Sequence, residues 1–218
     1  MDSQKTFLVL GGTGQTGQHF VRIALEEGYR VRALARDPAK FAMTDANLEV
    51  VLGSITDELD LDSLVNGVDF VVSMLGNAEA QREREVNTEL VRKLVPAMRR
   101  QGVARLLYQA GGLSAAPGKK LPLMLRLIRA TVARKFIGQH RDNEAVMRYL
   151  TDEAADIEWM VHRAGISGEG PSKGTLHRSD KAVSLAPFVD CAAYNLRTVM
   201  DPSAVHTCDT SSYRRVRR

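Results

Sequence analysis

The chain has 218 residues, 30 of them Lys or Arg and 26 Asp or Glu, giving a net charge of +4 with 44% hydrophobic residues. That length buries a sizeable core in one domain (1–218), and the only cysteines, Cys191 and Cys208, exclude a disulfide scaffold. No apolar run reaches the roughly 18–20 residues of a membrane span, and Asp2, Lys5 and a glycine loop stand where a signal peptide would have its apolar core, so a soluble protein of the reducing cytoplasm is expected.

The first predicted element is a strand over 6–10, which runs straight into Gly11, Gly12, Gly14 and Gly17. Those positions fit GxGxxG counted from Gly12 and GxxGxxG counted from Gly11, so spacing alone leaves two phases of a dinucleotide loop open. A helix over 15–27 follows, carried by Phe20, Val21 and Leu25. Strand, glycine turn and helix in that order bring backbone N–H groups and the helix dipole to one point, which suits a pyrophosphate.

The second strand, 31–35, ends at Arg36, where a site for the unphosphorylated dinucleotide usually places an acid for the ribose hydroxyls. Arg36, with Arg32 or Lys40 nearby, can fork onto a 2′-phosphate, which favours NADP(H) over NAD(H). The plain alternative for Arg36 is a surface residue opening a turn with Asp37 and Pro38. Strands over 48–52, 70–74, 105–109 and 158–162 alternate with helices over 58–66, 84–101 and 138–153, and a last helix over 190–200 has Asp190 as candidate N-cap. Such alternation predicts an α/β fold, a doubly wound parallel sheet with helices on both faces. His162 reads as a strand residue, His177 and His206 are isolated, and no metal-ligand spacing is present. Arg214, Arg215, Arg217 and Arg218 cluster at one end of the sequence, read as a solvated terminus, so no nucleic acid is expected as a partner.

The succession GGTGQTG, VRALARDPAK, GSITDELDLDSLVNGVDFVVSMLGN, NTELVRKLV, RLLYQAGG and IEWMVHRAGI resembles the atypical short-chain dehydrogenase/reductase superfamily. Within it the chain is most similar to the NAD(P)H-binding, NmrA-like branch that includes flavin and biliverdin-IXβ reductase-type enzymes. The resemblance covers nearly the whole chain and implies a Rossmann-type domain. It also implies that Thr13, Gln15 and Thr16 line the phosphates, Arg36 the adenosine phosphate, Ser54 and Ile55 the adenine, and Leu75, Gly76 and Asn77 the nicotinamide ribose. Ser54 stands where the family often has Asp, and Ala164 follows Arg163 where the family commonly has Pro.

The superfamily's Ser, Tyr and Lys are replaced. No tyrosine has a lysine four residues later; the tyrosine place falls on Phe136, the lysine place on His140, and Gln109, Ala110, Gly111 and Gly112 stand where serines are expected. Hydride transfer to a delocalised acceptor such as a flavin, quinone or enone needs a well-held nicotinamide more than a protein acid. His140 is the candidate acid, with a helix-face pair to Glu144 as the plain alternative. Tyr108, Gln109 and Ser114 are candidates for the substrate side, although Tyr108 also reads as a core strand residue.

Segments at about 113–137 and 165–187 are expected on the substrate side. The first, leucine-rich and basic, reads as a helix covering an apolar pocket, with a membrane surface or a protein partner as alternatives. Three functions fit: an NADPH-dependent oxidoreductase acting on a flat small molecule, a cofactor-sensing regulatory protein without turnover, or a non-redox isomerase or cyclase on the same fold. A homo-oligomer is compatible with each.

Overall fold

A computed structural model of the protein describes residues 4–214 except Ala42 and Asn77; Arg215, Arg217 and Arg218 also lie outside the described residues. Strand β1 (Thr6–Leu10) leads into α1 (Gln15–Glu26), β2 (Arg30–Ala35), β3 (Leu48–Leu52), α2 (Leu61–Val65) and β4 (Phe70–Ser73). The second half adds α3 (Val86–Gln101), β5 (Arg105–Gly111), α4 (Leu123–Ala130), α5 (Ile137–Glu153) and β6 (Glu158–Ala164). Short strands β7 (Ile166–Gly168), β8 (Leu176–Ser179) and β9 (Ala186–Pro187) precede α6 (Phe188–Met200) and β10 (Thr207–Tyr213).

The sheet order is β3-β2-β1-β4-β5-β6-β10-β8, parallel except where β10 pairs with β8. Chain progress from β1 runs one way to β3 and from β4 the other way to β6, so the crevice between the ends of β1 and β4 is the topological switch point. Apolar side chains alternate across the strands and feed two cores. On one face Leu8, Leu10, Leu106 and Val161 pack with Leu94 and Met98 of α3 and Val146 and Leu150 of α5. On the other, Phe7, Val9 and Leu107 pack with Phe20 and Val21 of α1 and Leu196 and Val199 of α6.

The expected doubly wound fold is present, and the six expected strands appear with ends shifted by two residues or fewer, but the sheet has eight strands. The two edge additions, β8 and β10, are polar, and β8 lies in a stretch whose glycines and serines suggest a loop. Asp190 is not an N-cap, since Pro187 holds that place; its buried carboxylate instead accepts bonds from the Ser172 hydroxyl, the Lys173 amide and the Tyr213 hydroxyl. It thereby fastens the 165–187 segment to α6 and β10.

Candidate functional site

The loop after β1 uses its glycines for different purposes. Gly11 has φ +87°, and a Cβ there would stand 2.8 Å from the Met74 carbonyl oxygen at the end of β4. A Cβ on Gly17 would lie 2.0 Å from the Gly11 oxygen, so the first turn of α1 packs on the loop only without a side chain. Gly14 has an ordinary φ of −76°, and a Cβ there meets only the Gly11 oxygen, at 3.2 Å. Gly11 and Gly17 are therefore required by packing, while the exposed Gly14 fronts the crevice and keeps it open to an approaching ligand. No side chain caps the first turn of α1, and no acid stands in it, which leaves its amides and dipole available to an anion.

The crevice is a cleft of about 280 Å³ lined by Gly11, Thr13 and Gly14, by Leu34 to Arg36 and Lys40, by Gly53 to Thr56, by Met74 to Gly76, and by Ala80, Val86 and Asn87. Its described lining holds two cations and no carboxylate. Arg36 and Lys40 are exposed and make no ion pair among the described residues. Asp37, the adjacent acid, is committed to a short turn, accepting the Ala39 amide at 3.1 Å. Arg32 is directed elsewhere: it donates to Glu49 at 2.7 Å and to the carbonyls of Leu64 and Asn66, so only Lys40 accompanies Arg36. Ser54 lies at the adenine end of the expected site, its hydroxyl 2.9 Å from that of Thr56, with Asp57 accepting the Ser54 amide. Gln15 is exposed and Thr16 buried at the start of α1, outside the cleft lining, and Asn77 lies outside the described residues.

A family model described as NAD(P)H-binding matches residues 11–186. The chain belongs to the NAD(P)H-binding family. It is 31% identical over 223 residues to a 3-beta-hydroxysteroid dehydrogenase of Mycolicibacterium neoaurum, covering 91% of this chain and 57% of that protein, so the chain spans little more than half the relative's length. The fold is similar to that of ChuY, an anaerobillin reductase from Escherichia coli O157:H7 (TM-score 0.74, 14% identity, 98% and 100% of the two chains covered). It is also similar to a wide-type short-chain dehydrogenase/reductase from Veillonella parvula in complex with NADP (TM-score 0.68, 13% identity, 98% and 97% covered).

Beneath the cleft of this NAD(P)H-binding protein lies a polar floor that spacing alone does not reveal. Asp142 of α5 is fully buried and accepts from Gln81 Nε2 (2.7 Å), the Asn87 amide (3.0 Å), the Thr88 amide (3.0 Å) and the Thr88 hydroxyl (2.7 Å). Because Glu85, the N-cap of α3, makes no side-chain cap, Asp142 supplies that cap from another helix. Asn87, thus held, donates to the Tyr108 hydroxyl at 2.9 Å, and that hydroxyl donates to Asn143 Oδ1 at 2.6 Å.

Tyr108 therefore sits in the core instead of at the mouth, and burial pushes its phenol well above the usual range, so it stays neutral. Ser114 is fully buried as well, accepting from Asn143 Nδ2 at 3.3 Å. Gln109 is half-buried between Thr16, to whose hydroxyl it donates at 3.4 Å, and Asn195, from which it accepts at 2.6 Å; it positions the start of α1.

His140 is the exception in this floor. It is 6% exposed and faces the end of β5, where a Cβ on Gly111 would be 3.9 Å from its Nδ1, and neither ring nitrogen has a hydrogen-bond partner among the described residues. Burial, with the Arg129 cation adding to it and Glu144 opposing it, lowers its pKa to about 4. The ring is thus neutral near pH 7, able to donate one hydrogen bond and accept another, and does not carry the imidazolium proton expected of a protein acid. Glu144 does not pair with it; its carboxylate is held by Arg129 and the Ala115 amide.

Proposed function

We propose that the protein is an NADPH-dependent reductase that delivers hydride to a flat or conjugated, apolar small molecule without the Ser, Tyr and Lys of its superfamily. The preference for NADPH rests on one observation: among the described residues Arg36 and Lys40 stand at the cleft without an ion pair and the lining holds no acid, while Asp37 is committed to its turn. In this reading the first-turn amides of α1 and Thr13 hold the pyrophosphate, and Arg36 forks onto the 2′-phosphate. Ser54 and Ile55 border the adenine, and Leu75 and Gly76 border the nicotinamide ribose.

When bound, the nicotinamide supplies the hydride. Around the end of β5 the chain offers backbone at Gly111 and Gly112, the neutral His140, and polar side chains already committed to one another. That set orients a substrate and offers one hydrogen bond, but it supplies no strong acid. It suits an acceptor that takes hydride into a delocalised system and its proton from water, so that NADPH, a proton and the acceptor yield NADP and the two-electron-reduced product. The similar proteins named for a steroid and for anaerobillin lend the reading support. Two free thiols, one buried, fit a reducing cytoplasm.

The test is NADPH oxidation by the purified protein against quinones, flavins and enones, with cofactor binding verified on the same sample. Turnover of at least one conjugated acceptor is expected. Silence across the panel with NADPH bound would overturn the reductase reading in favour of cofactor sensing, and product formation without NADPH consumption would assign non-redox catalysis.

A further inference from the structure

Helix α4 has no buried residue. Leu123 is 79% exposed, Met124 69%, Leu127 64% and, just beyond the helix, Val132 81%. This is the reverse of an ordinary surface helix, whose apolar stripe faces the core, and it differs from the expected cover over an apolar pocket. The helix is tied down by a polar clasp instead: Arg129 pairs with Glu144 of α5 and donates to the Leu113 carbonyl at 3.3 Å.

The charge around that apolar face is one-sided. Residues 113–141 hold seven Lys and Arg and no Asp or Glu, so the remainder of the chain, with 23 basic and 26 acidic residues, is net negative. Lys119, Lys120, Arg126, Arg134 and Lys135 are exposed and make no ion pair among the described residues. No described helix is long and apolar enough to cross a membrane.

We propose that the α4 face is a docking surface for an anionic phospholipid bilayer. Aliphatic side chains enter the boundary between headgroups and acyl chains while long basic side chains reach the phosphates above it, and a bilayer satisfies both along the whole face. A nucleic acid would match the cations but leave four aliphatic side chains against a polar backbone. The exposed Leu185 belongs to the same edge of the sheet: Gly165, directly after β6, packs against Ser184, and Gly111 of β5 pairs with Ala164 of β6. Docking would turn the carboxyl ends of β5 and β6 toward the bilayer. The inference does not rest on the redox reading.

Flotation with phosphatidylcholine vesicles, with and without phosphatidylglycerol, tests it on the full chain. The expected result is retention on the anionic vesicles alone, lost as salt approaches about 1 M, where screening is nearly complete. Replacing Lys119, Lys120 and Arg126 together by Gln should weaken retention about five-fold per charge, and Leu123→Ser with Leu127→Ser at least about ten-fold. These side chains are exposed, so melting temperature and NADPH affinity serve as folding controls and should be unchanged. Equal retention on neutral vesicles, no retention at all, or wild-type retention by the double serine variant would overturn the proposal. So would sedimentation showing a dimer that the double serine variant abolishes, which would assign the face to a second copy.

Discussion

Asp142→Ala is expected to cost about 3–5 kcal/mol of folding stability, the range for breaking a buried charged network. The carboxylate serves four donors, two of them amides of the first turn of α3, and no water-facing route exists for a fully buried site. Removing it leaves the Asn87 and Thr88 amides without their acceptor at about 1–3 kcal/mol each, offset only where the helix end relaxes outward, while the Thr88 hydroxyl keeps the Asp142 backbone carbonyl at 3.2 Å. Asp142→Asn should cost less, because it keeps the volume and one acceptor while turning an N–H₂ toward amide donors. Urea unfolding monitored by helical signal measures both. A loss below about 1 kcal/mol for the alanine variant would show that α3 holds its start without this cap. The effect should reach the site, because Val86 and Asn87 begin α3 and line the cleft.

Acid should destabilise the protein through His162 before most surface carboxylates titrate. The ring is 1% exposed on β6, bonded through Nδ1 to Asn195 Oδ1 at 2.7 Å and through Nε2 to the Ser211 hydroxyl at 2.8 Å. Asn195 Oδ1 can only accept, so the neutral ring carries its proton on Nδ1 and accepts from Ser211 at Nε2. Burial lowers the pKa to about 4, with the Asn195 bond opposing. Between about pH 6.5 and 4 the unfolded chain therefore binds more protons than the folded one. The contribution is complete above pH 6.5 and declines as pH falls, by up to about 3 kcal/mol for a shift of this size. His140 adds the same sign over the same window. The difference in stability between wild type and His162→Gln should shrink on going from pH 7 to pH 4; parallel profiles would contradict the assignment.

Much of this fold is written locally. The apolar runs of β1 to β6, the glycine turn and the periodicity of α1, α3 and α5 each announce themselves within a few residues, because burial on both faces of a parallel sheet demands continuous apolar strands. Strand β10 does not, because its interior residues Thr210 and Ser211 are buried by bonding to Ala182 and His162 instead of by apolar packing. The site divides the same way. Thr13, Gly14, Arg36, Ser54, Ile55, Leu75 and Gly76 line the cleft because the loop and strand ends converge there. The commitments of Tyr108, Ser114 and Gln109 depend on contacts 21 to 93 residues distant in sequence, which no local pattern reports. Asp142 left one trace: it stands four and eight residues before the core side chains Val146 and Leu150, on the buried stripe of α5, where a carboxylate must find partners.

We propose that the cleft holds NADPH through Arg36. Calorimetric titration of wild type and Arg36→Ala with NADPH and NADH tests it most directly. The predicted result is tight NADPH binding by the wild type, weakened in the variant by the roughly 1.5–3 kcal/mol of a charge-assisted contact, about ten- to a hundred-fold, with NADH affinity little changed. Equal affinity of the wild type for the two cofactors, or an Arg36→Ala variant that loses both alike, would contradict it.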